Sequence, residues 1–493
     1  MQSIPGGELA IDRRVRVNRL VLEPEARCAD ERVCDFEPTF VGLTAEQARE
    51  AASCCIHCPD PALCYLACPV NNDIPSAMWL IEQGDFVGAA KIYRQTSSLP
   101  EICGRVCPHE SLCMGSCIRN KQDDPVLTGQ LEAFVTDYER QHGGVKIRVG
   151  PSTGQRVAIV GSGPSGLACA EVLLQQGHQV TVFEKQAKLG GLLLYGIPNF
   201  KLPKSVVQDR INDFIEAGVE FRPEVKIGSD FTVDDLLHEG FDAVYLAVGS
   251  NVDAQLEVPG IDLPGVYQAS EFLVQANLAT LAGSGDKHAM NLCKGKHVAV
   301  IGGGDTASDC LRTAARMGAA SVTCLYRRTE AEMPGSKKDR KLAEEEGAKF
   351  QFLAQPIGFK AGADGNVAAV ECLACRLGPP DSSGRRRPEP IEGSNFDSPA
   401  DMVILAVGYW PDPAIGDTTP GLGTHKYGLI TTDPETGATT RPGIFAGGDA
   451  VTGPDLVVTA MRAGRRAGEA IDAYLRSAST APGSADAEMA EPA

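Results

Sequence analysis

The sequence predicts an α/β chain in which two parallel-sheet units, one inserted into the other, follow a mainly helical domain. Three observations predict it. Short apolar runs at residues 157–160 and 298–301 each pass through a glycine-rich turn into an apolar helix and then a second apolar strand, at 180–183 and 321–326. That is the βαβ order of a parallel sheet. Two similar apolar strands ending in glycine, 243–249 and 402–408, follow one unit each, as expected for two related domains. Finally, eleven of the 17 cysteines lie at or before Cys117, which marks a separate cysteine-using domain at the start. The expected boundaries are 1–150 for the helical domain, 151–288 and 401–476 for the two parts of the first sheet domain, 289–400 for the second, and 477–493 for a disordered tail.

Composition narrows the function. A chain of 493 residues is too long for one core, and domains of about 100–200 residues give roughly three. The hydrophobic content of 43% and the 53 glycines suit an α/β enzyme. A formal net charge of -18 argues against general nucleic-acid binding, because phosphate is repelled. No uninterrupted apolar stretch of about 18 residues appears, so no membrane span is expected. Residues 1–20 carry scattered Arg and Asp and no apolar signal core, so a cytoplasmic location is expected. With no such signal, the clustered cysteine spacing points to metal ligation in place of disulfides.

Taken in order, residues 44–52 read as a helix capped near Thr44. Residues 77–93 read as helix interrupted at Gly84. The glycines at 143–144 and 150–154 mark a linker. Helices are expected at 167–176 and 306–317. Residues 379–390 form a polar, Arg-rich hairpin tip, and the Ala-, Ser-, Glu- and Pro-rich stretch from Ser477 is expected to be disordered.

In the first unit, Gly161, Gly163 and Gly166 form GxGxxG between a strand and a helix. Alone the pattern is weak, but in this context each glycine has its own use. The first makes a tight turn, the second lets backbone approach a pyrophosphate, and the third lets helix pack closely on strand. The helix N-terminus then offers amide donors to phosphate. Glu184, ending the next strand, can accept hydrogen bonds from a ribose. Near the C-terminus Gly447, Gly448 and Asp449 follow another apolar strand and suit close approach to a flavin ribityl chain or pyrophosphate. Thr459 opens the next helix. Gly249, closing the first repeated strand, belongs with them. Chain order assigns FAD to this unit.

In the second unit Gly302, Gly304 and Ala307 form GxGxxA, with Asp305 and Thr306 between them. Arg327 and Arg328 stand where an acidic residue would recognise a bare ribose. Guanidinium groups bind a 2′-phosphate bidentately, which favours NADPH, with NADH possible. The plainer alternative is a solvated strand end.

Two cysteine arrays precede these units. Cys55, Cys58, Cys64 and Cys68-Pro69 form the first; Cys103, Cys107, Cys113 and Cys117 the second. In ferredoxin arrays the Cys before Pro ligates the other cluster, which suggests two interleaved iron–sulfur clusters. Zinc is the competing reading, but within the arrays only Cys55 and Cys58 have the paired spacing zinc favours. Cys28, Cys34 and Cys54 are expected not to be ligands, and Cys169 to be core. No dithiol for disulfide-reductase chemistry is expected downstream.

The combination resembles the small (β) subunit of bacterial glutamate synthase and the related NAD(P)H-binding parts of dihydropyrimidine dehydrogenase, sulfide dehydrogenase and NADH-dependent ferredoxin–NADP oxidoreductase. The resemblance covers residues 40–475. Its most specific segments are 103–108, 190–198, 302–307 and 447–449. It implies two nested Rossmann-like dinucleotide-binding domains and two [4Fe–4S] clusters. It also implies that Cys55, Cys58, Cys64 and Cys117 hold one cluster. Cys68, Cys107 and Cys113 would hold the other with a carboxyl-type oxygen at Glu132, and Cys103 would hold none. It places 190–201, with Gly191, near the flavin. The sequence departs in one place: five residues separate Cys58 from Cys64 where four are common.

The expected activity is a relay from NADPH through FAD and the clusters to a large catalytic subunit or another electron-acceptor protein. The cofactors carry the chemistry, so no catalytic acid–base residue is assigned. The alternatives are an input subunit serving ferredoxin, sulfur compounds or pyrimidines, and a non-catalytic metal-stabilised docking subunit. The two glycine-rich sites argue against the last.

Overall fold

The computed structural model describes residues 11–122, 124–281, 290–381 and 384–480. They form two compact units. One comprises the described residues within 11–144, 190–210 and 251–410; the other comprises those within 145–189, 211–250 and 411–480.

The second of these units is built on five parallel strands. Their order is Ile444–Ala446, Ala243–Leu246, Arg156–Val160, Gln179–Phe183 and Glu220–Arg222. The three inner strands are almost wholly buried, as a sheet covered on both faces requires. Helix Pro164–Gln176 packs against helix Val457–Thr480, and small residues permit the close crossing: a Cβ on Gly464 would lie 2.0 Å from the Ser165 carbonyl oxygen.

The other unit carries three layers of structure. Its N-terminal part is helical, as the caps foretell. Thr44 and Gln47 form a capping box on helix Ala45–Ser53. Helix Ile74–Gln83 ends at left-handed Gly84, and Asp85 caps Phe86–Thr96. Their apolar faces meet around Ala51, Met78, Ile81, Ala90, Tyr93 and Leu131. A second five-stranded parallel sheet follows, ordered Val266–Gln268, Met402–Leu405, His297–Ile301, Ser321–Tyr326 and Lys349–Phe352. Three antiparallel strands, Ala354–Ala361, Val367–Pro380 and Arg386–Pro399, form a separate sheet of the same unit. The last two form the expected Arg-rich hairpin.

The two repeated strands do equivalent jobs. Val157 pairs with Ala243, and Val298 pairs with Met402. This pairing corrects the expected boundaries. Met402–Leu405 is hydrogen-bonded within the second sheet, so that domain does not end at 400. Val266–Gln268 is an edge strand of the same sheet and helix Ala269–Leu281 packs on it, so the domain starts well before 289. The 190–210 stretch belongs to the unit that also holds the N-terminal helices and the second sheet, and the N-terminal part of that unit closes at Gly144, ahead of the expected 150. At the C-terminus, Val457–Thr480 is one amphipathic helix, so the expected tail cannot begin at 477; 481–493 lie outside the described residues. No helix among the described residues is long and apolar enough to cross a membrane.

Candidate functional site

The first glycine loop has the geometry its spacing implies. Gly161 has φ +109°, and a Cβ there would meet the Ala247 carbonyl oxygen at 2.4 Å. A Cβ on Gly166 would lie 2.0 Å from the Gly161 oxygen, so helix and strand can approach only without a side chain. Gly163 is different: a Cβ there would meet nothing within 4 Å. It caps helix Pro164–Gln176 without any side-chain hydrogen bond, leaving the first amides of the helix open. That open cradle at a helix N-terminus fits a pyrophosphate.

Glu184 is buried beside this loop. Its carboxylate accepts hydrogen bonds from the Ser162 N–H (3.1 Å) and hydroxyl (2.6 Å) and from the Gln186 N–H (2.9 Å). It therefore fixes the glycine loop. Gly448 also joins the loop: it has φ +67°, and a Cβ would touch Ser165 at 3.0 Å. Asp449 starts the next short helix, and burial, with Asp455 adding, raises its carboxyl to about 7. Gly249 is left-handed and open. The Thr459 hydroxyl is committed to its own helix start, donating to the Leu456 carbonyl (2.8 Å) and accepting from its N–H (3.1 Å). Gly191, at φ +54°, opens helix Leu192–Tyr195 and belongs to the other compact unit.

The second glycine loop repeats the plan. Gly302 has φ +143° with the Ala406 oxygen 2.2 Å from a built Cβ; Gly304 caps helix Asp305–Arg316 and is open. Ala307 is buried under it. Asp305 accepts a hydrogen bond from the Ser336 N–H at 2.8 Å, and Thr306 bonds the Tyr409 hydroxyl. The two arginines divide. Arg327 is exposed and has no ion-pair or hydrogen-bond partner among the described residues. Arg328 is 7% exposed; it donates to the Arg386 carbonyl (2.8 Å) and pairs with Asp381 (2.7 Å). The expectation that both guanidiniums face a 2′-phosphate is corrected for Arg328, which pins the base of the hairpin.

The cysteine arrays fold into adjacent groups. Cys55, Cys58, Cys64 and Cys117 all line one partly open cavity, together with Met78 and Arg119. Burial, with the neighbouring sulfurs adding, pushes Cys64 up to about 12; burial likewise pushes Cys55 up to about 12 and raises Cys58. Such thiols ionise only against a compensating cation. Among the described residues no three His, Cys, Asp or Glu side chains converge on a point fit for a single ion. The four cysteines line one cavity, and an all-sulfur donor set suits iron–sulfur chemistry.

The second set is Cys68, Cys107, Cys113 and Glu132. All three thiols feel the Glu132 carboxylate. Glu132 is 7% exposed, and burial, with Glu101 adding, raises it to about 8. It accepts a hydrogen bond from Asn72 at 3.4 Å, and the Thr128 hydroxyl meets the Cys113 sulfur at 3.0 Å. A buried carboxyl among three thiols fits a fourth ligand by donor chemistry. Cys103 lies in hydrogen-bond contact with Cys107. Cys54 bonds the Leu20 carbonyl, and Cys28 and Cys34 are exposed; Cys169 is core, as expected.

Several residues escaped the sequence reading. Cys372 and Cys375 do form a Cys-x-x-Cys, contrary to the expected lack of a downstream dithiol, and the spacing alone would have found it. Both lie buried on strand Val367–Pro380 and burial raises both thiols, to about 12 at Cys372, which does not favour thiolate exchange. Lys201 bridges Asp309 (2.9 Å) and Asp339 (2.8 Å), and the buried Lys204 ammonium donates to the carbonyls of Leu193 (2.9 Å) and Ile197. Both lysines fix the 190–201 segment. No local pattern announces such long-range partners.

Comparison with known proteins agrees with this geometry. Residues 32–144 match the family described as dihydropyrimidine dehydrogenase domain II, 4Fe-4S cluster, and residues 155–464 match pyridine nucleotide-disulphide oxidoreductase. The glutamate synthase [NADPH] small chain of Halomonas elongata is 43% identical over 92% of this chain and 96% of its own length. AegA of Escherichia coli K12, described as an oxidoreductase, is 42% identical over 92% of this chain and 69% of its own length. Among solved structures, FprA of Mycobacterium tuberculosis in complex with NADPH superposes with a TM-score of 0.55 at 22% identity, covering 66% of this chain and 85% of that one, a likeness of fold. With a 4Fe-4S domain joined to a dinucleotide-binding oxidoreductase domain, and 43% identity along nearly the whole length of the Halomonas small chain, the chain belongs to the glutamate synthase small-chain family of oxidoreductases.

Proposed function

We propose that this chain is an NADPH-dependent FAD/iron–sulfur oxidoreductase that delivers electrons to a large partner subunit, as the small subunit of a glutamate synthase. The observation that carries this reading is the presence in one chain of two open glycine cradles and a cavity rimmed by four cysteines. The bound groups supply the redox chemistry: hydride acceptance by the flavin and one-electron steps at two [4Fe–4S] clusters.

The chain's own residues bind and orient. Gly161, Gly163 and Gly166 open the FAD pyrophosphate site, and Glu184 and Asp449 take its ribose and ribityl hydroxyls, beside Gly249, Gly448 and Thr459. Gly302, Gly304 and Ala307 receive NADPH, with Arg327 on the 2′-phosphate. Cys55, Cys58, Cys64 and Cys117 hold one cluster; Cys68, Cys107, Cys113 and Glu132 hold the other. The family resemblance assigns the 190–201 segment, with Gly191, near the flavin. The chain works in the cytoplasm, and electron flow reverses where the partner supplies electrons. A second reading, an input module for another oxidoreductase, is favoured by the AegA match at nearly equal identity.

Anaerobic titration of the purified chain with NADPH and then NADH tests the reading. The flavin bleaches at much lower NADPH than NADH. Arg327→Ala loses one charge-assisted contact worth about 1.5–3 kcal/mol, roughly a tenfold to hundredfold loss of NADPH affinity with NADH unaffected. A chain without flavin, or with zinc in its cysteine domain, defeats the reading. Co-purification with an amidotransferase subunit chooses between the two partners.

A further inference from the structure

The loop carrying Cys55 and Cys58 is held from outside by arginines of the N-terminal segment, ahead of the matched 4Fe-4S domain at 32–144, and by Arg119 within it. The carbonyls of Ser53, Cys54, Cys55, Ile56 and His57 all accept from guanidinium groups. Arg16 donates to Ser53 (3.0 Å) and Cys55 (3.1 Å) and is itself held by both Glu82 oxygens. Arg119 donates to Cys54 (3.0 Å). Both are buried. Arg13 donates from Nε to Ile56 (3.2 Å) and His57 (3.1 Å), and from Nη2 to His57 (2.9 Å), yet is itself exposed.

A planar trans peptide points its N–H opposite its C=O. With the Ile56 and His57 carbonyls turned to Arg13, the N–H groups of His57 and Cys58 turn away from it. His57 has φ +48°, a left-handed conformation that gathers successive amides on one side, the concavity that receives anions. The His57 amide lies in hydrogen-bond contact with the Cys55 sulfur, and the Cys58 amide with its own sulfur. A guanidinium on each carbonyl polarises the peptide and strengthens its N–H as a donor. Hydrogen bonds to cluster sulfurs and nearby positive charge both favour the reduced cluster, which differs from the oxidised one by a single added electron with no bond broken.

We propose that Arg13 is a positioning residue that raises the reduction potential of the cluster in the Cys55–Cys58–Cys64–Cys117 cavity, by fixing and polarising the two peptides that donate to its sulfurs. The inference rests on the cluster assignment made under Proposed function. Arg13 is exposed, so its bare charge is screened, and the effect runs through the carbonyl contacts. Its neighbour Arg14 is also exposed, and its guanidinium has no hydrogen-bond or ion-pair partner among the described residues. It is the internal control: the same charge on the same short helix, without the clamp.

The test is an EPR-monitored anaerobic redox titration of the holoprotein, with dithionite and a europium(II) chelate to reach low potentials. Wild type, R13Q, R13K and R14Q are compared with iron content and thermal midpoint. R13Q is expected to keep its iron and flavin and to lose about tenfold in the one-electron reduction constant of one cluster, about 59 mV for a one-electron couple. R13K, with charge but no fork to span both carbonyls, falls between, and R14Q titrates as wild type. An iron-replete R13Q with wild-type potentials overturns the proposal, as does an R14Q shift as large as that of R13Q. If R13Q loses iron, R13K decides, and a wild-type potential there overturns it. C64S separates this from the underlying reading: if C64S keeps every cluster signal of the wild type, the cavity assignment itself is wrong.

Discussion

A side chain at Gly163 or Gly304 would meet no protein atom within 4 Å, whereas one at Gly166 would strike the Gly161 carbonyl. The same residue type therefore does opposite physical work within one motif. Neither Gly163 nor Gly304 has a positive φ, so alanine fits both backbones. Gly163→Ala is expected to fold with an unchanged thermal midpoint and to purify depleted in flavin. Gly304→Ala is expected to retain flavin and raise the KM for NADPH. Gly166→Ala should instead destabilise the fold by about 1–3 kcal/mol, the usual range for overpacking. Thermal unfolding beside flavin absorbance separates the three. A Gly163→Ala protein with full flavin would remove the pyrophosphate assignment.

At the scale of elements, one buried carboxylate ties three segments together. Glu346, after helix Lys337–Glu345, bonds Arg312 (2.9 and 3.0 Å) and Arg316 of helix Asp305–Arg316, and Arg32 of the N-terminal segment at 3.1 Å. The Phe200 ring stacks under both helix arginines, 4.5 and 4.0 Å from their centres. Removing the carboxylate leaves buried guanidiniums uncompensated, so Glu346→Gln is expected to cost about 3–5 kcal/mol. Burial alone would raise the Glu346 carboxyl, but hydrogen bonds from Arg316 and Arg312 outweigh it and hold it below its ordinary value of 4.5. A depressed carboxyl stabilises the fold fully above that ordinary value and loses the contribution as pH falls through the folded one. The difference in thermal midpoint between wild type and variant should be constant from pH 6 to 8, taken as roughly neutral conditions, and should narrow below about 4.5. A gap that persists in acid would assign the loss to packing.

For the whole molecule, the proposed function makes the chain an electron-input subunit, with two glycine loops and a thiol-lined cavity, and leaves glutamate formation to the partner subunit. The pure chain is expected to oxidise NADPH with an artificial acceptor and to make no glutamate from glutamine and 2-oxoglutarate. Amino-acid analysis of the reaction checks this, and glutamate formation by the pure chain would contradict division of labour between subunits.

The sequence by itself determined what depends on neighbours within a few residues. The Thr44 capping box, the break at Gly84, the two glycine loops and the cysteine arrays were legible because helix period, positive φ and ligand reach are local constraints. Tertiary structure decided what depends on residues brought from afar. The strand at Met402–Leu405 could not be assigned to a sheet from its apolar run, because either sheet would bury it; its pairing with His297–Ile301 settled that. Arg328 was indistinguishable from Arg327 until Asp381 and the Arg386 carbonyl, more than fifty residues away, claimed it. The Arg13 clamp likewise spans 43 residues to Ile56. A side chain's charge is written in the sequence, but which partner neutralises it is fixed only when burial makes leaving it unpaired too costly.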